Sequence, residues 1–326
     1  MSEFNRIISH DDFDGLICAT ICSHALGIDD IEFAGPRAVT EARISITGED
    51  IVCDLPYPLE CGMWFDHHEG NLEELKYRGI DSETIRGRFD LKKSCARVVF
   101  TYFAERASFP THFEAMVDEA DVIDSFGYTS IEDWRQETPG KVIDSSLKTQ
   151  SVSGRQKWDY LRYLISLLKQ YSMESIAVRD EVKERYAVYQ EEEKSMMTQV
   201  SQYISFLPED THRHLIILDL THLKRQPRLL KNLAFLLFPD AEAIIEVKNM
   251  FQHGTKTNDL SVSMSLSLNY KSVESTKDAG DIMRQLNIGS GHRGAGAGAI
   301  HCSSKQEMLN IKGKTLREIL RMFRSQ

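Results

Sequence analysis

Three short apolar runs, each ending in acid or imidazole groups, constrain this chain most: Arg6-Ile7-Ile8-Ser9-His10, Ile51-Val52-Cys53-Asp54 and Trp64-Phe65-Asp66-His67-His68. Runs of this kind read as buried strands. Ligand-type groups gathered at the ends of several strands are the pattern of an open parallel α/β sheet, whose sites form outside the carboxyl ends. After the first run, Gly15 to Leu26 carries apolar residues at helical spacing, with Gly27 as a stop. Helical patterns return from Cys95 to Ala107 and from Thr111 to Ile123.

Residues 155–205 are helical in pattern, charged and free of Pro, and predict two helices broken near Gln170-Tyr171-Ser172. Heptads are not sustained there, so a coiled-coil face is the weaker reading. A second α/β half follows, with strands predicted at His214–Leu220, Ala241–Val247 and Leu260–Leu268 and helices at Leu229–Phe238, Ala279–Leu286 and Leu316–Phe323. The strand from Leu260 alternates apolar residues with Ser. The expected organisation is a first domain over 1–150, a helical linker over 151–210 and a second domain over 211–326. A chain of 326 residues suits two such cores.

The net charge is −10 and the pI about 5.6, which argues against a grip on long duplex nucleic acid. A short anionic substrate remains compatible, because bound cations reverse the local field. The six cysteines form no CxxC pair and read as buried free thiols of a reducing compartment. Asp11 and Asp12 interrupt the start too early for a signal peptide, and no apolar run reaches about 18 residues, the length of a membrane span. The expected location is the cytoplasm.

In an extended strand end, His10, Asp12 and Asp14 would face one way and suit a divalent cation. The plainer alternative is an acidic turn in which Asp12 or Asp14 caps the helix. Of the adjacent His67 and His68, opposite-facing on a strand, one would be a ligand and the other free to meet substrate; a surface pair is the alternative. Asp54 lies between the two His-bearing segments in sequence, as a carboxylate bridging two cations would. Two such cations activate water and steady an in-line phosphoryl displacement. Asp121 and Asp124 are one helical turn apart, and either could complete the second site. The run Gly289–Gly298 offers backbone N–H groups to an anion, with His292 and Arg293 as charged donors; a flexible loop is the alternative.

Together, His10-x-Asp12-x-Asp14-Gly15, Asp54, Asp66-His67-His68, a later Asp and a C-terminal Gly-x-Gly-His resemble the DHH/DHHA1 phosphoesterases. That family includes RecJ-type exonucleases, oligoribonucleases that dephosphorylate adenosine 3′,5′-bisphosphate, cyclic-dinucleotide phosphodiesterases and exopolyphosphatases. The resemblance implies a parallel-sheet DHH domain, a helical linker and a smaller mixed α/β DHHA1 domain, with the active cleft between them. It implies two manganese ions, with magnesium or cobalt as substitutes. One ion would take His10, Asp12 and Asp54; the other Asp14, Asp54, His67 and Asp121, with Asp124 in reserve. Asp121 is preferred because Ala120-Asp121 resembles the RecJ motif. Asp66 would orient the ligands, and His68 would face the scissile phosphate with His292 and Arg293. Gly289 and Gly291 would join these in holding substrate. Departures are Ser290 and Gly294 within the Gly-rich motif, and a strand Ser261–Ser267 that lacks the Arg often found there.

The sequence therefore predicts a metal-dependent phosphoesterase acting on short single-stranded oligonucleotides or nucleotide phosphates, with no membrane partner and a second copy of the chain as a candidate partner. Polyphosphate or a cyclic dinucleotide is the alternative substrate. A catalytically idle nucleotide-binding relative is the rival class, against which the complete ligand set speaks.

Overall fold

The computed structural model describes residues 3–150, 154–225, 227–270 and 276–326. They form two compact units. The first comprises residues up to Tyr128 with Gln136–Glu192, and the second Thr129–Arg135 with Glu193–Gln326.

The first unit is built on five strands, β1 (Arg6–His10), β2 (Ile31–Ala34), β3 (Asp50–Cys53), β4 (Met63–Asp66) and β5 (Gly87–Phe89), in the order β2-β1-β3-β4-β5. Every pairing is parallel. Adjacent residues on a strand point to opposite faces, and here both faces are covered. Ile7, Ile51 and Phe65 pack into one apolar cluster with helices Phe13–Leu26, Cys95–Ala104 and His112–Asp124. Ile8, Val52 and Trp64 pack into another. Burial on both sides is why the strands read as continuous apolar runs. Each buried Ile or Val contributes about 1.5–3 kcal/mol relative to exposure.

The passage from β1 into helix Phe13–Leu26 is tight. A Cβ on Gly15 would stand 2.1 Å from the His10 carbonyl oxygen, so only glycine fits. Asp12 caps the helix by accepting the Gly15 N–H, and Gly27, in left-handed conformation, closes it.

The segment expected as a linker is helical but divides differently. Helices span Arg155–Leu168, Met173–Ala177 and Asp180–Tyr203, with a break at 169–172 as expected and a second at 178–179. Tyr160, Leu161, Leu164 and Ile165 enter the first core, so this stretch is part of that unit. The boundary falls inside the last of these helices, between Glu192 and Glu193.

The second unit holds β6 (Ile204–Ser205), β7 (Leu215–Asp219), β8 (Ala243–Gln252), β9 (Thr255–Leu266), β10 (Gly289–His292) and β11 (Ala295–Ile300). Their order is β10-β11-β9-β8-β7-β6, with β7–β8 parallel and the rest antiparallel. The apolar side of the sheet packs against helices Ala279–Gln285 and Lys305–Ser325 through Val247, Val262, Met264, Ile282 and Phe323. The helix predicted over Leu229–Phe238 shortens to Ala234–Leu237 after a 3₁₀ turn. The final helix begins earlier than expected, at Lys305, where Ser304 caps it.

The Gly-rich run is not a loop. It is the β10–β11 hairpin, and its glycines admit close packing. A Cβ on Gly280 would meet the Gly291 carbonyl oxygen at 2.3 Å, and one on Gly296 the Ala279 carbonyl oxygen at 2.7 Å. Cys18, Cys22, Cys53 and Cys95 are buried free thiols, whereas Cys61 and Cys302 are half-buried. Among the described residues no helix is long and apolar enough to cross a membrane.

Candidate metal centre

The strand order changes direction between β1 and β3, and open α/β sheets place their sites outside the carboxyl ends of such strands. His10 ends β1, Asp54 follows β3, and His67 and His68 follow β4. Asp54 has φ +58°, a left-handed conformation rare for a residue with a side chain. Its backbone N–H still bonds to Phe65, so the chain turns sharply just past the strand. Strain of this kind collects at functional sites.

The two oxygens of Asp54 face different imidazoles. Oδ2 lies 3.4 Å from His10 Nδ1, while Oδ1 lies 3.8 Å from His67 Nε2 and 3.7 Å from His68 Nδ1. His10 Nδ1 also lies 2.8 Å from Asp12 Oδ2. Asp12 thus caps the helix, as the plainer reading of that acidic turn expects, and also faces His10. His10, Asp12 and Asp14 do not converge as one extended strand, however; Asp14 arrives from the first turn of the helix.

Asp14 is anchored across the core. Its carboxylate accepts the N–H groups of Cys95 at 2.7 Å and Ala96 at 2.8 Å, at the start of helix Cys95–Ala104. A helix N-terminus favours an anion there. His67 Nε2 stands 3.8 Å from Asp14 and 3.3 Å from Asp124. Its Nδ1 lies 3.1 Å from the Lys92 carbonyl oxygen. That contact assigns the proton to Nδ1 and directs the Nε2 lone pair at the acids.

Asp121 and Asp124 separate cleanly. Asp121 accepts from Ser94 Oγ at 2.7 Å and Arg97 Nε at 2.9 Å, away from the imidazoles. Asp124 faces His67. Of the two, Asp124 is the one brought beside Asp14 and His67, while Arg97 engages Asp121. Asp66 is fully buried, accepting Asn71 Nδ2 at 2.6 Å and facing His68 Nδ1 at 2.9 Å. Asn71 gave no sequence signal, and neither did Lys148, whose charge acts on Asp12 from the end of helix Pro139–Leu147.

Crowding of acids in a buried place leaves an electrostatic signature. Burial first, then Asp54, Asp124 and Asp12, push Asp14 well above the carboxylate range. Burial also raises Asp54, to about 7, despite the opposing His10. Burial raises Asp124 as well. Burial pulls His10 down, yet its hydrogen bonds to Asp12 and Asp54 prevail and hold it at about 11. The hydrogen bond to Asp66 lifts His68 to about 9.

Divalent cations fit this donor set. Three groups bring ligand atoms within 4.8 Å of one another: His10, Asp12 and Asp54; Asp14, His67 and Asp124; and Asp54, His67 and His68. The donors are carboxylate oxygens and imidazole nitrogens without thiolate, a set that suits manganese or magnesium better than structural zinc. Two atoms at the centre, Asp54 Oδ1 and His67 Nε2, are buried with no hydrogen-bond partner. Native interiors rarely leave such atoms unpaired. In the second unit, Gly289, Gly291 and His292 are exposed on β10, and Arg293 at the hairpin turn is half-buried.

No family model matches the chain, and no curated protein matches it by sequence. Solved structures do match. A pGpG-specific phosphodiesterase from Vibrio cholerae aligns at TM-score 0.68 and 22% identity, over 97% of this chain and 99% of that one. The DHH domain of a protein assigned to a ribosomal-protein family aligns at TM-score 0.56 and 11% identity, over 98% and 86%. RecJ from Thermus thermophilus, in complex with Mn2+, aligns at TM-score 0.52 and 14% identity, over 97% of this chain and 52% of that one. The parallel sheet that carries the Asp-His-His end and the mixed sheet that follows it are those of the DHH/DHHA1 fold, and this chain has that fold.

Proposed function

We propose that the chain hydrolyses phosphate esters of short nucleotides at a two-cation centre in the first unit, with manganese the preferred ion. The observation that carries this reading is the orphaned pair Asp54 Oδ1 and His67 Nε2 amid converging carboxylates. His10, Asp12 and Asp54 would hold one ion; Asp14, Asp54, His67 and Asp124 the other. When bound, such ions lower the pKa of water toward neutrality and offset phosphate charge.

The chain's own groups prepare the site. Asp14, fixed by two backbone N–H groups, holds its oxygens in place before any ion arrives. Asp66 fixes the His68 ring through Nδ1 and keeps it protonated at neutral pH, so Nε2–H is available to a phosphate oxygen. The His68 side chain is 52% exposed, as a group meeting substrate should be. His292, Arg293 and the backbone of Gly289 and Gly291 are the second unit's proposed phosphate contacts. Likeness to a phosphodiesterase named for pGpG supports dinucleotides as the substrate class.

The test is direct. Chelator-stripped chain is assayed with manganese, magnesium or cobalt against a 5′-phosphorylated dinucleotide, a longer RNA, adenosine 3′,5′-bisphosphate, a cyclic dinucleotide and polyphosphate. Manganese-restored hydrolysis, fastest on the dinucleotide, is expected. No hydrolysis of any substrate with any ion would overturn the reading.

A further inference from the structure

Strands β7 and β8 run parallel in the second unit, and a concave space lies at the carboxyl end of β7, beside the later part of β8 and the start of β9. This hollow of about 490 Å³ is lined by Asp219, Thr221, Asn249, Lys256, Lys305 and Lys312 among others. The volume lies in the range of small-molecule sites. The hairpin turn at Arg293 lies at the opposite end of the sheet: Ala295 pairs with Ser265 and Ser265 with Ile244, whereas the hollow begins near Asn249.

Three lysines and one carboxylate line this hollow, in a chain of net charge −10. Lys312 donates to Asp219 Oδ2 at 2.6 Å and to Thr221 Oγ1 at 2.8 Å. Lys256 donates to the carbonyl oxygens of Thr221 at 2.6 Å and Leu223 at 2.8 Å. An ammonium has three donors, so each of these has a further N–H to offer. Lys305 stands exposed at the start of its helix. Burial first, then Lys305 and Lys312, lower the pKa of Lys256 against the opposing pull of Asp219, so the three like charges are only partly balanced by one carboxylate.

Asn249 supplies the second, independent observation. It is 3% exposed, and its Nδ2 donates to the Thr257 carbonyl oxygen at 2.8 Å. That bond fixes the amide, leaving Oδ1 as an acceptor, and Oδ1 is buried with no partner. The hollow thus combines cationic donors with one unfilled acceptor. A ligand satisfying both carries anionic oxygens and a hydroxyl or amino donor.

We propose that this hollow is a second ligand site, taking a sugar phosphate monoester such as a mononucleotide, with Lys256, Lys305 and Lys312 on the phosphate and Asn249 Oδ1 on a sugar hydroxyl. It lies in a different unit from the metal cluster and stands independently of the phosphoesterase reading.

Calorimetry on the chelator-stripped full chain tests it, with adenosine monophosphate, ribose 5-phosphate, inorganic phosphate and adenosine as titrants. Both sugar phosphates should bind, more tightly than inorganic phosphate, and adenosine should not. Lys305→Gln, an exposed change that leaves the fold intact, should weaken binding about tenfold, the loss of one charge-assisted bond. Asn249→Asp, with its melting temperature checked, should weaken it at least as much, by placing a negative charge beside the phosphate. No binding at millimolar concentration, or unchanged affinity in both variants, would overturn the proposal. Equal affinity for inorganic phosphate and ribose 5-phosphate would overturn it too, since Asn249 would then meet no sugar.

Discussion

Asp54 Oδ1 and His67 Nε2 lie 3.8 Å apart, both buried and neither hydrogen-bonded. Asp124 Oδ2 comes within 3.3 Å of the same nitrogen without completing a hydrogen bond. The proposed cations would give both atoms their missing partner, and the first predictions concern that pair.

Asp54→Ala should be the most damaging single change. Its two oxygens face His10 on one side and His67 and His68 on the other, so removal strips both proposed ions of a ligand. Loss of several kcal/mol of charge stabilisation corresponds to a drop of about a thousandfold or more in kcat/KM. Steady-state kinetics on the best substrate checks this, and a fully active Asp54→Ala chain would remove the two-ion proposal.

Asp124→Asn and Asp121→Asn should fail in different ways. The first removes a group facing His67 and should weaken manganese binding without lowering the metal-free melting temperature, since its buried charge is destabilising there. The second frees Arg97 and Ser94 and should lower stability by about 1–3 kcal/mol while sparing metal affinity. Manganese titration and thermal melting of both variants separate the two; the reverse pattern would return Asp121 to the metal site.

Without metal, stability should fall as pH rises across the neutral range. A carboxylate whose folded pKa exceeds its unfolded value holds its proton more tightly when folded. Asp54, raised from 3.8 to about 7, therefore contributes stability that is complete below about 4 and lost as pH rises through 7. Asp14 and Asp124 act in the same direction. Manganese competes with those protons and should stabilise more at pH 8 than at pH 6. At a concentration of 100 Kd the gain is about 2.7 kcal/mol. Melting curves with and without manganese at both pH values test the sign.

Gly280→Ala should destabilise the second unit by about 1–3 kcal/mol, the usual effect of overpacking. Its new Cβ would overlap the Gly291 carbonyl oxygen. Denaturant unfolding followed by a probe in that unit gives the measure, and wild-type stability would mean the helix and hairpin part freely.

Much of the His-Asp cluster is legible in the sequence because strands buried on both faces leave continuous apolar runs, and its acids and imidazoles follow directly at their ends. His10, Asp54 and His67 were readable for that reason. β2 and β5 were not: Ile31–Ala34 and Gly87–Phe89 are too short and mixed to stand out. Asp121 and Asp124 share a helix and a spacing, and what divides them is Arg97 on a neighbouring helix, a partner that local pattern does not reveal. Asp14 joined the cluster through a strand-to-helix turn rather than an alternating strand. Lys256, Lys305 and Lys312 carry no motif at all; the fold alone brings them to one hollow.

The β10–β11 hairpin has the composition of a segment free to vary, yet its spacing from helix Ala279–Gln285 is set by bare backbone. Any side chain added at Gly280, Gly289, Gly291, Gly296 or Gly298 acts as a wedge against a carbonyl or an α-carbon. Adaptation of this chain to new ligands is thereby channelled away from the glycines. It is left to the few positions between them, such as Ser290, His292 and Arg293, so the segment that looks most permissive offers evolution the narrowest choice.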